Sequence, residues 1–155
     1  SPTSHQDGCC EVLAVGFEDR CQQPLAFLKG GTICRLRIQG RVLKPLRSPI
    51  IGFAVLDRLG QVVFGENTYG NGAHAAMNAE AGDCLEAVFE MEWPWLAAGE
   101  YAVTVAMASG GRLEHVNHCW LNDCVVITST PGTRLVNGVF APPMLRIDLE
   151  RRPYA

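Results

Sequence analysis

The chain has 155 residues, of which 48% are hydrophobic and 19% charged, and its formal net charge is -3. This length suits one domain rather than two cores with a linker. The excess of acidic residues argues against nucleic-acid binding. No apolar run reaches the ~20 residues of a membrane helix. Seven cysteines, an odd number without C-x-x-C spacing, indicate reduced thiols in the cytoplasm rather than a disulfide framework.

In chain order, residues 1–10 are predicted to be a flexible N-terminal linker, and 11–155 the folded domain. Apolar and polar residues alternate with period two in several segments, which is the pattern of half-buried strands. Eight strands are predicted: 11–17, 34–42, 50–57, 62–65, 85–92, 100–107, 122–128 and 145–150. Gly and Pro separate them at uneven intervals. The sequence therefore predicts an all-β fold, an antiparallel β-sandwich of about eight strands.

Individual segments add detail to this prediction. Asp57 to Gly60 is predicted to form the turn of a hairpin, and residues 72–82 a long loop. Trp93 and Trp95 are predicted to close one end of the sandwich. The last predicted strand follows the stiff pair Pro142-Pro143, so it is free to return to its own sheet or to cross to a partner.

Neither an enzyme nor a metal site is predicted. Nucleotide-binding and hydrolase motifs are absent from the sequence. Glu86, Glu90 and Glu92 share one strand face, and the Arg row at 35, 37 and 41 shares another, as solvated strand faces do. His115, His118, Cys119 and Cys124 contain zinc-compatible groups, but their spacing fits no standard finger. No cofactor is expected.

A carbohydrate-binding site is the favoured interpretation of one strand. His118, Trp120 and Asn122 are two residues apart and so share a face, where an indole can stack on a pyranose and the polar groups can bond hydroxyls. The alternative is that Trp120 belongs to the core. A second polar and aromatic cluster opens the long loop. The candidate carbohydrate-binding residues are Asn67, Thr68, Tyr69, Asn117, His118, Trp120 and Asn122.

Three motifs resemble the C-terminal domain of the ATPase subunit (Wzt-type) of O-antigen ABC transporters. Residues 51–68 read IGFAVLDRLGQVVFGENT, a Gly-Phe strand, an Asp-x-x-Gly turn and a second strand ending in Asn-Thr. Residues 96–101 read LAAGEY, similar to the Leu-x-x-Gly-x-Tyr motif of that family, and residues 118–126 read HCWLNDCVV, similar to its His-x-Trp-x-x-Asp strand. The first of these motifs is the most specific.

The resemblance implies an immunoglobulin-like sandwich that binds O-antigen, the O-polysaccharide of lipopolysaccharide, for export by an ABC transporter. It further implies a homodimer with terminal strand exchange, an upstream ATPase domain, and a cytoplasmic position at the inner membrane beside the transporter subunit. The domain itself would be noncatalytic. The alternative left open is a protein-interaction or dimerisation sandwich without glycan binding.

Overall fold

The computed structural model describes residues 4–69, 77–110 and 116–151. These ranges contain fourteen strands. Among the described residues, no helix has the length and apolarity to span a bilayer. The strands are β1 Ser4–Gln6, β2 Cys10–Glu18, β3 Pro24–Leu25, β4 Phe27–Lys29, β5 Ile33–Val42, β6 Leu46–Arg47, β7 Pro49–Leu56, β8 Val62–Asn67, β9 Asn78–Ala79, β10 Cys84–Glu92, β11 Trp95–Leu96, β12 Gly99–Ser109, β13 Val116–Thr130 and β14 Phe140–Ala141.

Two sheets contain the long strands. The six-stranded sheet has the order β1-β13-β12-β7-β8, with β4 added parallel to β13, and the four-stranded sheet has the order β10-β5-β2-β3. All other neighbours in these two sheets run antiparallel. Two small sheets, β6 with β9 and β11 with β14, lie beside them. The predicted antiparallel β-sandwich is confirmed.

Local chemistry explains the two best-predicted connections. In the β7–β8 hairpin, the Asp57 carboxylate accepts hydrogen bonds from the backbone N–H groups of Leu59 and Gln61, at 2.9 and 3.0 Å. Gly60 has φ +78°, where a side chain is unfavourable. At the entry to β12, the hydroxyl of Tyr101, the third residue of that strand, donates to the Ala97 carbonyl at 2.7 Å. The same contact occurs in the tyrosine corner of immunoglobulin-like sandwiches.

The core lies between the two sheets and contains the apolar sides of the alternating strands. Phe53 of one sheet meets Phe89 of the other edge to face, with centroids 4.9 Å apart. Trp93 is fully buried, and its indole N–H donates to the Ser129 hydroxyl at 2.7 Å. A Cβ on Gly30 would lie 2.4 Å from the Trp95 ring, so only glycine fits there. Burial of Trp93 agrees with its predicted role.

The structure differs from the sequence prediction at both ends of the chain. Within the predicted linker 1–10, Ser4–Gln6 forms β1 on β13, and Cys10 is buried at the start of β2. Polar side chains do not prevent an edge strand, because backbone groups make the pairing. The predicted strand 145–150 does not form, and Leu145, Ile147 and Leu149 are almost fully exposed. A segment with alternating apolar and polar residues forms a strand only where a sheet edge is available to pair with its backbone.

The predicted long loop, 72–82, is partly described. Residues 70–76 lie outside the described ranges, while Asn78–Ala79 forms β9 against β6. A second part of the chain, 111–115, also lies outside them and includes His115. The candidate residues Asn67 to Tyr69 and Asn117 to Asn122 are all described.

Candidate functional site

One row of side chains crosses the outer surface of the six-stranded sheet. The strand register places His5 opposite Trp120, Trp120 opposite Ala106, Ala106 opposite Gly52, and Gly52 opposite Asn67. Directly paired residues of antiparallel strands lie on the same face of a sheet. Val105 and Met107, which flank Ala106, are buried in the core, so this row faces outward.

A second row lies beside the first. The Thr104 hydroxyl donates to the Asn122 side-chain oxygen at 3.1 Å, and Thr104 pairs with Ala54, which pairs with Gly65. Together the two rows contain Gly, Ala, Thr, Asn, Trp and His and no Lys, Arg, Asp or Glu. We call these nine residues the neutral face: His5, Gly52, Ala54, Gly65, Asn67, Thr104, Ala106, Trp120 and Asn122.

The neutral face has a low centre and larger groups at its sides. Its central positions on β7 and β12 carry only Gly52, Ala54, Thr104 and Ala106. Three strand spacings separate β13 from β8, a span of about 14 Å. Trp120 therefore borders a shallow floor on one side and Asn67 on the other, which leaves space for an extended ligand rather than a single small molecule.

Trp120 is the largest side chain on this face. It is 37% exposed, so it is not a core residue. Its indole stacks on the His5 imidazole with centroids 4.4 Å apart and an interplanar angle of 24°. The stack joins β1 to β13 and holds the indole in one orientation. A fixed aromatic plane loses little side-chain entropy when it binds a ligand.

The cluster at the end of β8 divides between structure and surface. The Thr68 hydroxyl accepts a hydrogen bond from the Ile51 backbone N–H at 3.1 Å, so it continues the β7–β8 pairing. The Asn67 side-chain oxygen accepts from the Tyr69 backbone N–H at 2.9 Å. Asn67 and Tyr69 are exposed. Asn67 is the member of this cluster that the register places on the neutral face.

His118 does not lie on that face, which corrects the prediction for this residue. It is 8% exposed, although Asn117 before it, which pairs with Ala108, is exposed. A register shift between Met107 and Ala108 interrupts the alternation, so the consecutive residues His118 and Cys119 are both buried. A β-bulge changes side-chain direction in this way. Period-two reasoning from Trp120 therefore fails at His118.

Both ring nitrogens of His118 have partners. Nδ1 lies 2.6 Å from the Asp7 carboxylate, and Nε2 lies 2.6 Å from the Ser109 hydroxyl. The hydrogen bond with His118 lowers the pKa of Asp7 to about 2. Hydrolase triads share this connectivity but bury the carboxylate. Here the carboxylate side chain is 31% exposed and the imidazole only 10%. The three groups tie the N-terminal segment to the six-stranded sheet.

A cleft opens between the edges of the two sheets. β8 and β10 are edge strands, and the space between them has a volume of about 600 Å³. We call it the edge cleft. Its lining is mostly apolar, and acidic residues from both strands contribute to it. The principal lining residues are Phe53, Phe64, Phe89, Met91, Leu96, Phe140, Glu66, Glu90 and Glu92.

The sequence profile of the Wzt C-terminal domain matches residues 2–142. The chain belongs to the Wzt C-terminal domain family. A crystal structure of the C-terminal domain of Wzt superposes with a TM-score of 0.85 at 12% identity, covering 96% of this chain and 89% of that one. At this identity the likeness shows the shared fold. No curated protein sequence matches the chain.

Sequence reasoning missed six of the nine residues of the neutral face in this Wzt C-terminal domain. His5 was assigned to a linker because its neighbours are polar. The sequence pattern marks only the strands that contain Ala54, Thr104 and Ala106, and gives these small residues no role in binding. A usable signal is present in β12, where the outward positions Ala102, Thr104 and Ala106 carry only Ala or Thr. A run of small outward residues in a central strand indicates a sheet face that a ligand can approach closely.

Proposed function

We propose that this Wzt C-terminal domain is a noncatalytic carbohydrate-binding domain that recognises the O-polysaccharide for export by an ABC transporter. The observation that carries this proposal is the neutral face, with a low floor of Gly and Ala between Trp120 and Asn67. Family membership supports the transporter context.

The chemistry of the face suits a sugar chain. A pyranose has an apolar CH side that lies on the Trp120 indole, and hydroxyls that both donate and accept hydrogen bonds. The amide side chains of Asn67 and Asn122 offer both kinds of group. The two rows contain no formally charged Lys, Arg, Asp or Glu side chain, so we expect a glycan whose recognised portion is neutral. Tyr69 and Asn117 are exposed at the borders of this face and would add contacts.

The wider assignment follows from the family. In the proposed full-length protein, an ATPase domain precedes this chain, and the whole subunit lies in the cytoplasm at the inner membrane beside the transporter. The domain would then hold the polysaccharide next to the export channel.

Calorimetry with the isolated chain tests the proposal. The titrants are purified bacterial O-polysaccharides that differ in repeat unit and in terminal residue. We expect saturable binding to one of them and a large loss when its terminal group or repeat unit is changed. Failure to bind any polysaccharide, with the chain shown to be folded by circular dichroism, would favour the protein-interaction alternative.

We also propose that the domain forms a homodimer in which the C-terminal segment 143–151 of each copy enters the edge cleft of the other. Leu145, Ile147 and Leu149 alternate with charged residues, as in a strand that lacks a partner. The edge cleft has two edge strands and an apolar floor, and Phe140, which precedes the segment, already lines it. Arg146 and Arg151 of the segment complement the acidic residues of the cleft.

Light scattering with size-exclusion chromatography tests the dimer. We expect a dimer for the chain and a monomer after Ile147→Asp, because the change places a charge in an apolar cleft. Asp148→Asn is a control, because it lies in the segment and keeps its apolar alternation. A monomer at every concentration tested for the unmodified chain would exclude exchange without affecting the glycan-binding proposal.

A further inference from the structure

The second cluster of chemical interest lies where the N-terminal segment meets β13. Asp7, Cys9 and His118 each place one metal-ligating atom within 4.8 Å of those of the other two. We propose that these three residues form a binding site for one divalent transition-metal ion of the zinc class. The inference does not depend on glycan binding.

The backbone holds the ligands in place without an ion. The Asp7 N–H donates to the His118 carbonyl at 2.9 Å, which fixes the N-terminal segment on β13. Gly8 has φ +84° and turns the chain between the ligands Asp7 and Cys9. The Cys9 carbonyl accepts from the backbone N–H groups of Leu43 and Lys44, at 2.8 and 3.2 Å. Preorganised ligands reduce the entropy lost when a metal binds.

Outer contacts of the kind found around metal ligands are already present. Metal-bound histidine usually donates its other ring N–H to a neighbouring acceptor. The Ser109 hydroxyl lies 2.6 Å from His118 Nε2, which leaves Nδ1 directed at Asp7. The second carboxylate oxygen of Asp7 accepts from the Cys9 backbone N–H at 2.9 Å. An ion bound between Nδ1 and Oδ2 would keep both outer contacts.

The distances require a small movement. Nδ1 and Oδ2 are now 2.6 Å apart. Two ligand atoms at about 2.0–2.1 Å from a tetrahedral zinc ion lie about 3.3 Å from each other. Asp7 is the most exposed of the three ligands, and Cys9 is half-buried. The carboxylate can therefore move outward by less than an ångström, and the ion can enter from solvent.

The charge balance also fits. On binding, the Cys9 thiol loses its proton to the buffer, the His118 ring carries its proton on Nε2 beside Ser109, and no redox change occurs. One thiolate and one carboxylate then neutralise the two positive charges of the ion, and the imidazole is a neutral ligand. A thiolate with an imidazole selects zinc-like ions over Mg²⁺ or Ca²⁺. Water takes the fourth position, because three protein ligands leave a tetrahedral ion open.

Cobalt titration of the chelator-treated chain tests this site. Co²⁺ replaces zinc and gives a thiolate-to-metal charge-transfer band only when sulfur is a ligand. We expect one ion per chain with that band, displacement by Zn²⁺, and an increase in melting temperature on binding. Cys9→Ser should remove the band and weaken binding at least ~100-fold, and Ser109→Ala should weaken it about tenfold, as outer contacts do.

Controls separate this site from other thiols. Cys21 is an exposed free cysteine and is not among the three grouped ligands, so Cys21→Ser should keep the band. Circular dichroism checks that Cys9→Ser is folded, and Asp7→Asn, which keeps an oxygen toward the Cys9 N–H, provides a second variant. No bound Co²⁺, or a charge-transfer band that survives Cys9→Ser, would overturn the proposal.

Discussion

The two outer faces of the sandwich differ sharply in chemistry. The face of the six-stranded sheet has the neutral rows between Trp120 and Asn67. The face of the four-stranded sheet has a network of charges across β2, β5 and β10. Both faces are built on alternating strands over a common core, so the fold does not explain the difference. The ligand-binding role proposed for one face would explain it.

On the charged face, the three arginines of β5 pair with glutamates of the same face. Arg37 donates to Glu18 at 2.6 and 2.9 Å and also bonds Glu86. Glu90 accepts from Arg35 at 3.0 Å and from Arg20 at 3.2 Å. A ligand there would have to replace these pairs. On the neutral face a ligand would replace neutral hydrogen bonds, such as those of Asn67 with the Tyr69 N–H and of Asn122 with Thr104, rather than ion pairs. The proposed glycan site is therefore placed there.

Filling the floor of the neutral face should have the largest effect. In Ala106→Phe, a ring occupies the space between Trp120 and Gly52, so the glycan cannot lie across the strands. We expect affinity to fall at least ~100-fold, or about 2.7 kcal/mol, in calorimetry with the polysaccharide that the chain binds in the panel described above. The folded state should remain, because the added ring points to solvent.

The matched control is Gln39→Phe at the centre of the charged face. Gln39 lies on the central strand β5 and donates to Glu86 at 2.8 Å. We expect some loss of stability and glycan affinity within about twofold of the original. If both phenylalanine variants lose binding equally, or if only the second does, the assignment of binding to the neutral face is wrong.

Removing the aromatic border should have the next largest effect. Trp120→Ala takes away the stacking plane and the contact with His5, and we expect a ~10- to 50-fold loss of affinity, the size of an interface hot spot. Trp120→Phe should keep part of the glycan affinity, because it retains an aromatic ring. The melting temperature should change little, because the side chain is partly exposed. Unchanged affinity with a clear loss of stability would identify Trp120 as a packing residue.

Breaking the charged face should leave binding unchanged. Arg37→Gln removes the guanidinium shared by Glu18 and Glu86, both of which then lose their closest cationic partner. We expect a lower melting temperature, since the Arg37 and Glu18 side chains are half-buried, and glycan affinity within about twofold. A loss of affinity comparable to that of Trp120→Ala would mean that both faces bind.

Sequence patterns predicted the sandwich because strand alternation and turn residues are local. The Asp57 turn and the motif ending at Tyr101 form as their residues indicate. Sequence patterns failed where a strand pairs with a segment distant in the chain. Ser4–Gln6 is a strand only because the edge of β13 is available, and 145–150 has strand alternation but no edge in its own chain.

The site was harder to predict for the same reason. Trp120 and Asn67 could be named from residue type, but their common row depends on the register of four strands. Period-two spacing misplaces His118 because it is the extra residue of a bulge in β13, opposite Met107 and Ala108, and this bulge has no sequence signature of its own. His5 and Asp7 act through partners more than a hundred residues away. Such contacts follow from topology rather than from spacing.

The smallest expected effect concerns Glu90 at the border of the charged face. Its hydrogen bond from Arg35, and then that from Arg20, lowers the pKa of Glu90 below the ordinary 4.5. A lowered carboxyl pKa stabilises the fold above the unfolded-state pKa, and this contribution is lost as the pH falls through the folded-state value. Glu90→Gln should therefore melt slightly below the original chain at pH 7 and together with it in stronger acid.

Melting curves between pH 7 and pH 2 measure this effect, and salt should reduce it because the pair is exposed. Combining Glu90→Gln with Arg20→Gln and Arg35→Gln gives the necessary control, since without its cations Glu90 has no pairing to lose. If the pH-dependent difference persists in that background, the charge of Glu90 acts through groups other than these two arginines, and the charged face is not the self-contained network described above.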